Sequence, residues 1–206
     1  MRDRDLVRLY WPVALRPAFD ALFAIDDVMA EIVASSTQPA LGAIRLAWWR
    51  EALQRLDRHP PPPEPTLTAV AAELLPRGIA GAALAALEDG YASLLDQEPE
   101  RDRLGAGGEA LFAIGARLLG SDDARLPLAG QLHAFARAAR RGLAALPDDA
   151  ASGDLVGYRF TRTLRPLTAF ARLAARDIRQ APVLEPEATP ARAVALMSHR
   201  LFGTIS

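Results

Sequence analysis

The stretch Asp26-Asp27-Val28-Met29-Ala30-Glu31 places three carboxylates within about one and a half turns of helix. At about 100° per residue, Phe19, Leu22, Phe23, Asp26, Met29, Ala30 and Val33 share one face, while Asp27 and Glu31 lie toward its flank. Asp26 therefore points along an apolar stripe. A carboxylate there is costly to bury unless a cation or hydrogen-bond donors meet it, which leaves two uses: a ligand facing a cavity, or one end of an internal Asp–Arg pair. Structural ion pairs outnumber metal sites, so the internal pair is the expectation. Arg16 and Arg45 are the candidate cations, because both flank the same two-helix unit.

Composition narrows the remaining chemistry. With no cysteine, the chain has no thiol nucleophile, disulfide, iron–sulfur cluster or thiolate zinc site, and His59, His133 and His199 lack the spacing of a histidine metal site. Any metal would be held by oxygen. All 24 basic residues are arginine, so a Schiff-base lysine and the P-loop lysine are both excluded. Against 25 acidic residues the net charge is -1, which gives no global pull toward nucleic acid or an anionic membrane. There is no Gly-rich phosphate loop, dinucleotide fingerprint or nucleic-acid module.

The elements that must position these groups read as all-α. Alanine, the best helix former, occurs 42 times in 206 residues, while β-branched residues are few and hairpin turn signals are absent. Helices are predicted over 17–34, 39–57, 67–75, 79–97, 104–119, 126–146, 164–180 and 189–202. Gly120 is the expected C-cap of the fifth, and His59-Pro60-Pro61-Pro62-Pro63-Glu64-Pro65 is a stiff connector after the second. The length fits one domain, 1–206, with a sizeable core. No apolar run approaches the roughly 20 residues of a membrane span, and the amino-terminal residues alternate charge with bulk, so a soluble, cytoplasmic chain is the expectation.

Other chemistry-bearing residues have plainer readings. Trp48 and Trp49 point roughly 100° apart on a helix; two core anchors is the simple reading, with one ring on a neighbouring helix or cavity as the alternative. Asp122-Asp123 and Asp148-Asp149 sit among turn formers and read as solvated turn residues. His133 reads as a surface or satisfied core imidazole. Arg159, Arg162, Arg165, Arg172, Arg176 and Arg179 are opposed only by Asp177. A solvated basic face is the first reading of that run, and an anion-binding or peripheral membrane-surface patch the second.

Several segments, in their order and spacing, resemble the squalene/phytoene synthase family. They are Tyr10-Trp11-Pro12, Arg16-Pro17, Ala21-Leu22-Phe23-Ala24-Ile25, Leu46-Ala47-Trp48-Trp49-Arg50-Glu51-Ala52-Leu53 and the prolines from Pro60 to Pro65. Leu87-Glu88-Asp89-Gly90, Leu95-Asp96 and Gly108-Glu109-Ala110-Leu111-Phe112-Ala113-Ile114-Gly115 complete the pattern, which is clearest over residues 8–120. The resemblance implies an isoprenoid-synthase-like all-α bundle around a central cavity. Active members join prenyl diphosphates, using magnesium ions held by two aspartate-rich motifs on facing helices.

This sequence departs from both motifs. Aligned on Asp26, the first motif keeps Asp26, Asp27 and Glu31 but has Ala30 for its last aspartate; aligned through Leu22-Phe23-Ala24-Ile25, the better register, it keeps only Glu31. The segment expected to carry the second motif, residues 130–141, contains no carboxylate and instead has Arg137, Arg140 and Arg141, which can bind a diphosphate but not magnesium. That combination is similar to a divergent branch of the family that includes the mitochondrial assembly factor for respiratory NADH dehydrogenase. The resemblance thus implies a catalytically inactive binding or assembly factor, without cofactor, in the cytoplasm or peripheral to the inner membrane. Two alternatives are a magnesium-dependent prenyl-diphosphate transferase using Asp26, Asp27 and Glu31, and a prenyl-lipid-binding protein.

Overall fold

Pro17 enters the first turn of a long helix that carries the apolar stripe, and the following elements wrap around it. In the computed structural model, which describes residues 2–147 and 153–205, the helices are α1 (Asp3–Arg8), α2 (Arg16–Ser35), α3 (Pro39–Arg55), α4 (Pro65–Glu73) and α5 (Gly81–Ala85). They continue with α6 (Leu87–Ala92), α7 (Arg101–Leu119), α8 (Leu126–Arg140), α9 (Arg165–Gln180) and α10 (Pro190–Phe202). Among the described residues the sole β feature is an isolated bridge between Arg159 and Thr204. The fold is all-α, as composition and periodicity indicate.

The stripe on α2 is the core of the bundle. Phe19, Leu22, Phe23, Met29 and Val33 are buried, and Trp11 stacks on Phe19 with ring centroids 3.3 Å apart. Phe23 reaches Phe170 of α9 at 4.8 Å. Helix α9 is buried along Leu167, Ala169, Phe170, Ala171, Ala174 and Ala175, so its small residues let α8 and α10 approach. Small residues also set the α7–α8 contact: a Cβ on Gly108 would lie 2.2 Å from the Gly130 carbonyl oxygen, so the two backbones meet directly.

Beyond shifts of two or three residues at helix ends, three features differ from the sequence reading. The helix expected over 79–97 is built of short pieces: α5 and α6, joined by the helical-region residue Ala86, and a 3-10 turn Ser93–Leu95 that follows α6 directly. Its start is fixed from outside: Gly81 lies so close to α3 that a Cβ would meet the Leu53 carbonyl, and Asp57 accepts the Gly81 and Ala82 N–H groups at 2.6 and 3.0 Å. Helix α8 stops at Arg140 instead of continuing to 146, because Gly142 at φ +69° turns the chain out of the helix. Helix α1 was not expected, although Asp3 and Asp5 in its first turn and Arg8 in its last suit the helix dipole. Gly120 caps α7 at φ +62°, as read from the sequence.

Of the adjacent pair Trp48 and Trp49, Trp49 is buried and Trp48 is 48 % exposed, so only one of the two is a core anchor; Trp48 packs edge-on against Trp49. No helix among the described residues is long and apolar enough to cross a membrane.

Candidate functional site

Helix α2 brings Asp26 and Asp27 against α8, whose last turns carry Arg137 and Arg140, with Arg141 as the residue that follows the helix. Arg137 bridges the two aspartates: Nε lies 2.8 Å from Asp26 Oδ2, and Nη2 donates to Asp27 Oδ1 at 2.6 Å. The Asp26 contact is an ion pair whose N–H does not point at the oxygen, leaving Oδ2 without a hydrogen bond. Tyr91 of α6 donates its hydroxyl hydrogen to Asp26 Oδ1 and accepts from Arg137 Nε at 3.3 Å. Arg141 reaches Asp27 at 3.4 Å and Glu31 at 3.2 Å, and Arg4 of α1 also pairs with Asp27.

The internal pair expected for Asp26 is thus present, but its cation is Arg137 and neither Arg16 nor Arg45. Arg16 donates to the Leu9 carbonyl at 3.4 Å, and Arg45 is exposed. The two neighbouring carboxyls respond differently to the same cations. Burial pushes Asp26 above the usual carboxylate range, with Arg137 and Tyr91 opposing it. Burial also acts on Asp27, but Arg137, Arg4 and Arg141 together outweigh it and hold that carboxyl low. On Arg137 burial favours the neutral form, and Asp26, Tyr91 and Asp27 overcome it, so the guanidinium stays charged.

Arg140 turns away to a second network. It pairs with Asp177 of α9 through two bonds of 2.6 Å each, and Asp177 also pairs with the buried Arg192 of α10. Arg192 in turn grips Asp3 of α1 through Nε at 2.9 Å and Nη2 at 2.6 Å. Four helices are therefore tied by two arginines and two aspartates. Arg137, Arg140 and Arg141, read from sequence as anion-binding candidates, are each already engaged by a carboxylate.

Two spaces adjoin this array. The enclosed one, between α2, α6, α7 and α8, measures about 20 Å³ and is bordered by Asp26, Tyr91, Gly108, His133 and Arg137. That is room for one or two waters. The other is an open cleft of about 860 Å³ on the far side of Arg137, with Phe23, Phe170 and Leu173 at its base and six arginines and six carboxylates around it. His133 borders both. Its ring lies among Phe23, Phe112 and Phe170, with Nε2 buried and lacking a partner among the described residues. It is a core imidazole, but not a satisfied one. Burial, aided by Arg137 and opposed by Asp27, takes its pKa down to about 3, so it is neutral at pH 7.

The other candidates resolve into local roles. Asp123 accepts the Tyr158 hydroxyl at 2.9 Å and Asp122 is an exposed turn residue; Asp148 and Asp149 lie outside the described residues. The arginine run has no common role. Arg176 pairs with Glu185 at 2.7 Å, Arg165 donates to backbone carbonyls, and Arg172 is half-buried with Nε and Nη1 unbonded. Within the segments that carry the family resemblance, Glu88 is buried against Arg50 at 3.3 Å, and Asp89 pairs with Arg103 at 2.7 Å.

Among the described residues no group of three His, Asp or Glu is placed to hold a metal ion. No family model, curated protein or solved structure matches the chain. Sequence reasoning did not find Tyr91, Arg4, Asp3 or Arg192 as members of these networks. A weak signal existed for Asp3 in the acidic first turn of α1, and none for Tyr91, which lies 65 residues from Asp26.

Proposed function

We propose that the chain is a catalytically inert, squalene/phytoene synthase-like scaffold that serves as a binding or assembly factor, with a respiratory membrane complex as its client. One observation carries this reading: the acidic residues that a prenyl transferase would give to magnesium are here opposed by arginines. Magnesium does not fit the set. Asp26 is enclosed by Tyr91 and Arg137, Asp27 is shared by three guanidiniums, and the facing helix contributes cations where a second cluster of carboxylates is needed. The arrangement ties α2 to α8 by ion pairs, which suits a scaffold and uses up the carboxylates a metal-dependent ionisation site would need.

The two alternative readings have less support. A transferase would have to free Asp26, Asp27 and Glu31 from their arginines before binding metal. A prenyl-lipid carrier needs an apolar chamber, and the enclosed space at Asp26, about 20 Å³, is far below the roughly 300–1,000 Å³ of ordinary ligand pockets. The larger cleft is open and ringed with charge.

Two measurements test the proposal. Incubated with magnesium and farnesyl or geranylgeranyl diphosphate, the protein should release no pyrophosphate and form no condensed product; turnover abolished by Asp26→Ala or Glu31→Ala would establish the transferase instead. In the source cell, deleting the gene should lower the amount of assembled NADH dehydrogenase on native gels. Unchanged assembly would remove the assembly role.

A further inference from the structure

Helix α10 is apolar on two opposite faces. Inward it buries Ala195 and Leu196 beside Arg192 and His199. Outward, Val194, Met197 and Leu201 recur at i, i+3 and i+7 and are 65, 58 and 67 % exposed, with Phe202 at 54 % at the end of the last turn. An exposed apolar stripe of this kind marks an interaction surface.

The charge of the cover follows from what surrounds the end of that stripe. The segment carrying Arg159, Arg162 and Arg165 packs on the carboxy-terminal end of α10: Arg159 bridges to Thr204, and Arg165 Nη1 donates to the Arg200 and Leu201 carbonyls at 2.9 Å each. Arg200 adds a fourth guanidinium, lying over the Tyr10 ring at 4.9 Å. Among the described residues none of these four arginines has a carboxylate partner, so the end of the stripe carries a group of guanidiniums with no opposing charge. Burial lowers the Arg165 pKa, and repulsion from Arg159 and Arg162 adds to it, so the charges are close enough to sense each other. An apolar stripe ending in unneutralised arginines matches a surface with an apolar interior and anionic headgroups.

We propose that the outward face of α10, with the arginines at its carboxy-terminal end, is a docking surface for an anionic phospholipid membrane. Val194, Met197, Leu201 and Phe202 enter the acyl boundary while Arg159, Arg162 and Arg200 meet headgroup phosphates. Each signal alone binds weakly; together they suffice for reversible peripheral attachment. A second copy of the chain fits less well, since it would bring the same arginines and no carboxylates to meet them. The inference is independent of the scaffold reading, because vesicle binding and complex assembly can each fail alone.

Co-sedimentation with vesicles tests it. The protein should sediment with phosphatidylcholine vesicles containing phosphatidylglycerol and not with phosphatidylcholine alone, and high salt should release it. Arg159→Gln and Arg162→Gln should each weaken binding about fivefold. The double variant Met197→Ser, Leu201→Ser alters exposed positions and should keep its helical circular dichroism while losing vesicle binding. Failure to bind anionic vesicles, or binding unaffected by the double variant, would overturn the proposal. So would a dimer in sedimentation velocity that the same variant dissolves, since a second copy would then cover the face.

Discussion

Arg137 and Asp27, 110 residues apart in the chain, meet at 2.6 Å across the α2–α8 interface. The same guanidinium lies 2.8 Å from Asp26, so one cation serves a carboxyl that burial pushes up and a neighbour that is held low.

Arg137→Leu should destabilise the protein by about 3–5 kcal/mol in urea unfolding, because it leaves Asp26 buried without its cation. Asp26→Asn should cost less, since the amide still accepts the Tyr91 hydroxyl. The two variants losing equal stability would show that Asp26 is not the buried charge that matters.

The raised Asp26 carboxyl also fixes a pH dependence. Its folded form binds a proton more tightly than the unfolded chain does, so its contribution falls as pH rises from about 3.8 toward the folded value. Asp26→Asn should therefore gain on the wild type as pH increases over that window. Asp27 has the opposite sign: its contribution is present above the unfolded pKa and is lost as pH falls through the lower folded value. Urea midpoints should diverge in slope from wild type in opposite directions, for Asp26→Asn above about pH 3.8 and for Asp27→Asn below it; curves parallel to wild type in those two windows would contradict this.

His133 adds an acid limb. The unfolded chain takes up a proton near pH 6.5 that the folded imidazole refuses until about pH 3, so stability falls with pH by up to about 1.4 kcal/mol per unit between those values. His133→Phe, which suits the surrounding Phe23, Phe112 and Phe170, should flatten that limb. An unchanged slope between pH 6 and 4 would mean that the imidazole charges inside the fold.

Arg192→Leu should cost about 3–5 kcal/mol, because Asp3 loses its cation and Asp177 keeps only Arg140. Thermal unfolding of this variant beside Arg200→Leu, on the exposed side of the same helix, separates the buried network from general charge loss. Equal melting temperatures would count against the network.

Gly108→Ala should cost about 1–3 kcal/mol or more, since the new methyl group meets the Gly130 carbonyl and neither backbone can yield cheaply. Gly153→Ala, where a Cβ meets nothing within 4 Å among the described residues, is the control. Comparable losses in the two would remove close α7–α8 packing as the cause.

Local pattern determined a good deal of this protein. The 3.6-residue period of Phe19, Leu22, Phe23, Met29 and Val33 named the buried face of α2, and placed Asp26 on it. Because a helix fixes the relative directions of its own side chains, that face, and the need for a cation opposite Asp26, are properties of one short segment. Gly120 and Pro17 marked helix ends for the same local reason.

Which cation meets Asp26 is not a local property. Proximity in sequence favoured Arg16 and Arg45, but the direct contact of Gly108 with Gly130 draws α8 against α7, and α8 then delivers Arg137 and Arg141 to α2. The same packing sends Arg140 to Asp177, on the other side of α8, although it stands one residue from Arg141. The outward apolar face of α10 was likewise invisible beforehand: periodicity shows that a helix has two apolar sides, and only the packed bundle decides which of them is left facing out.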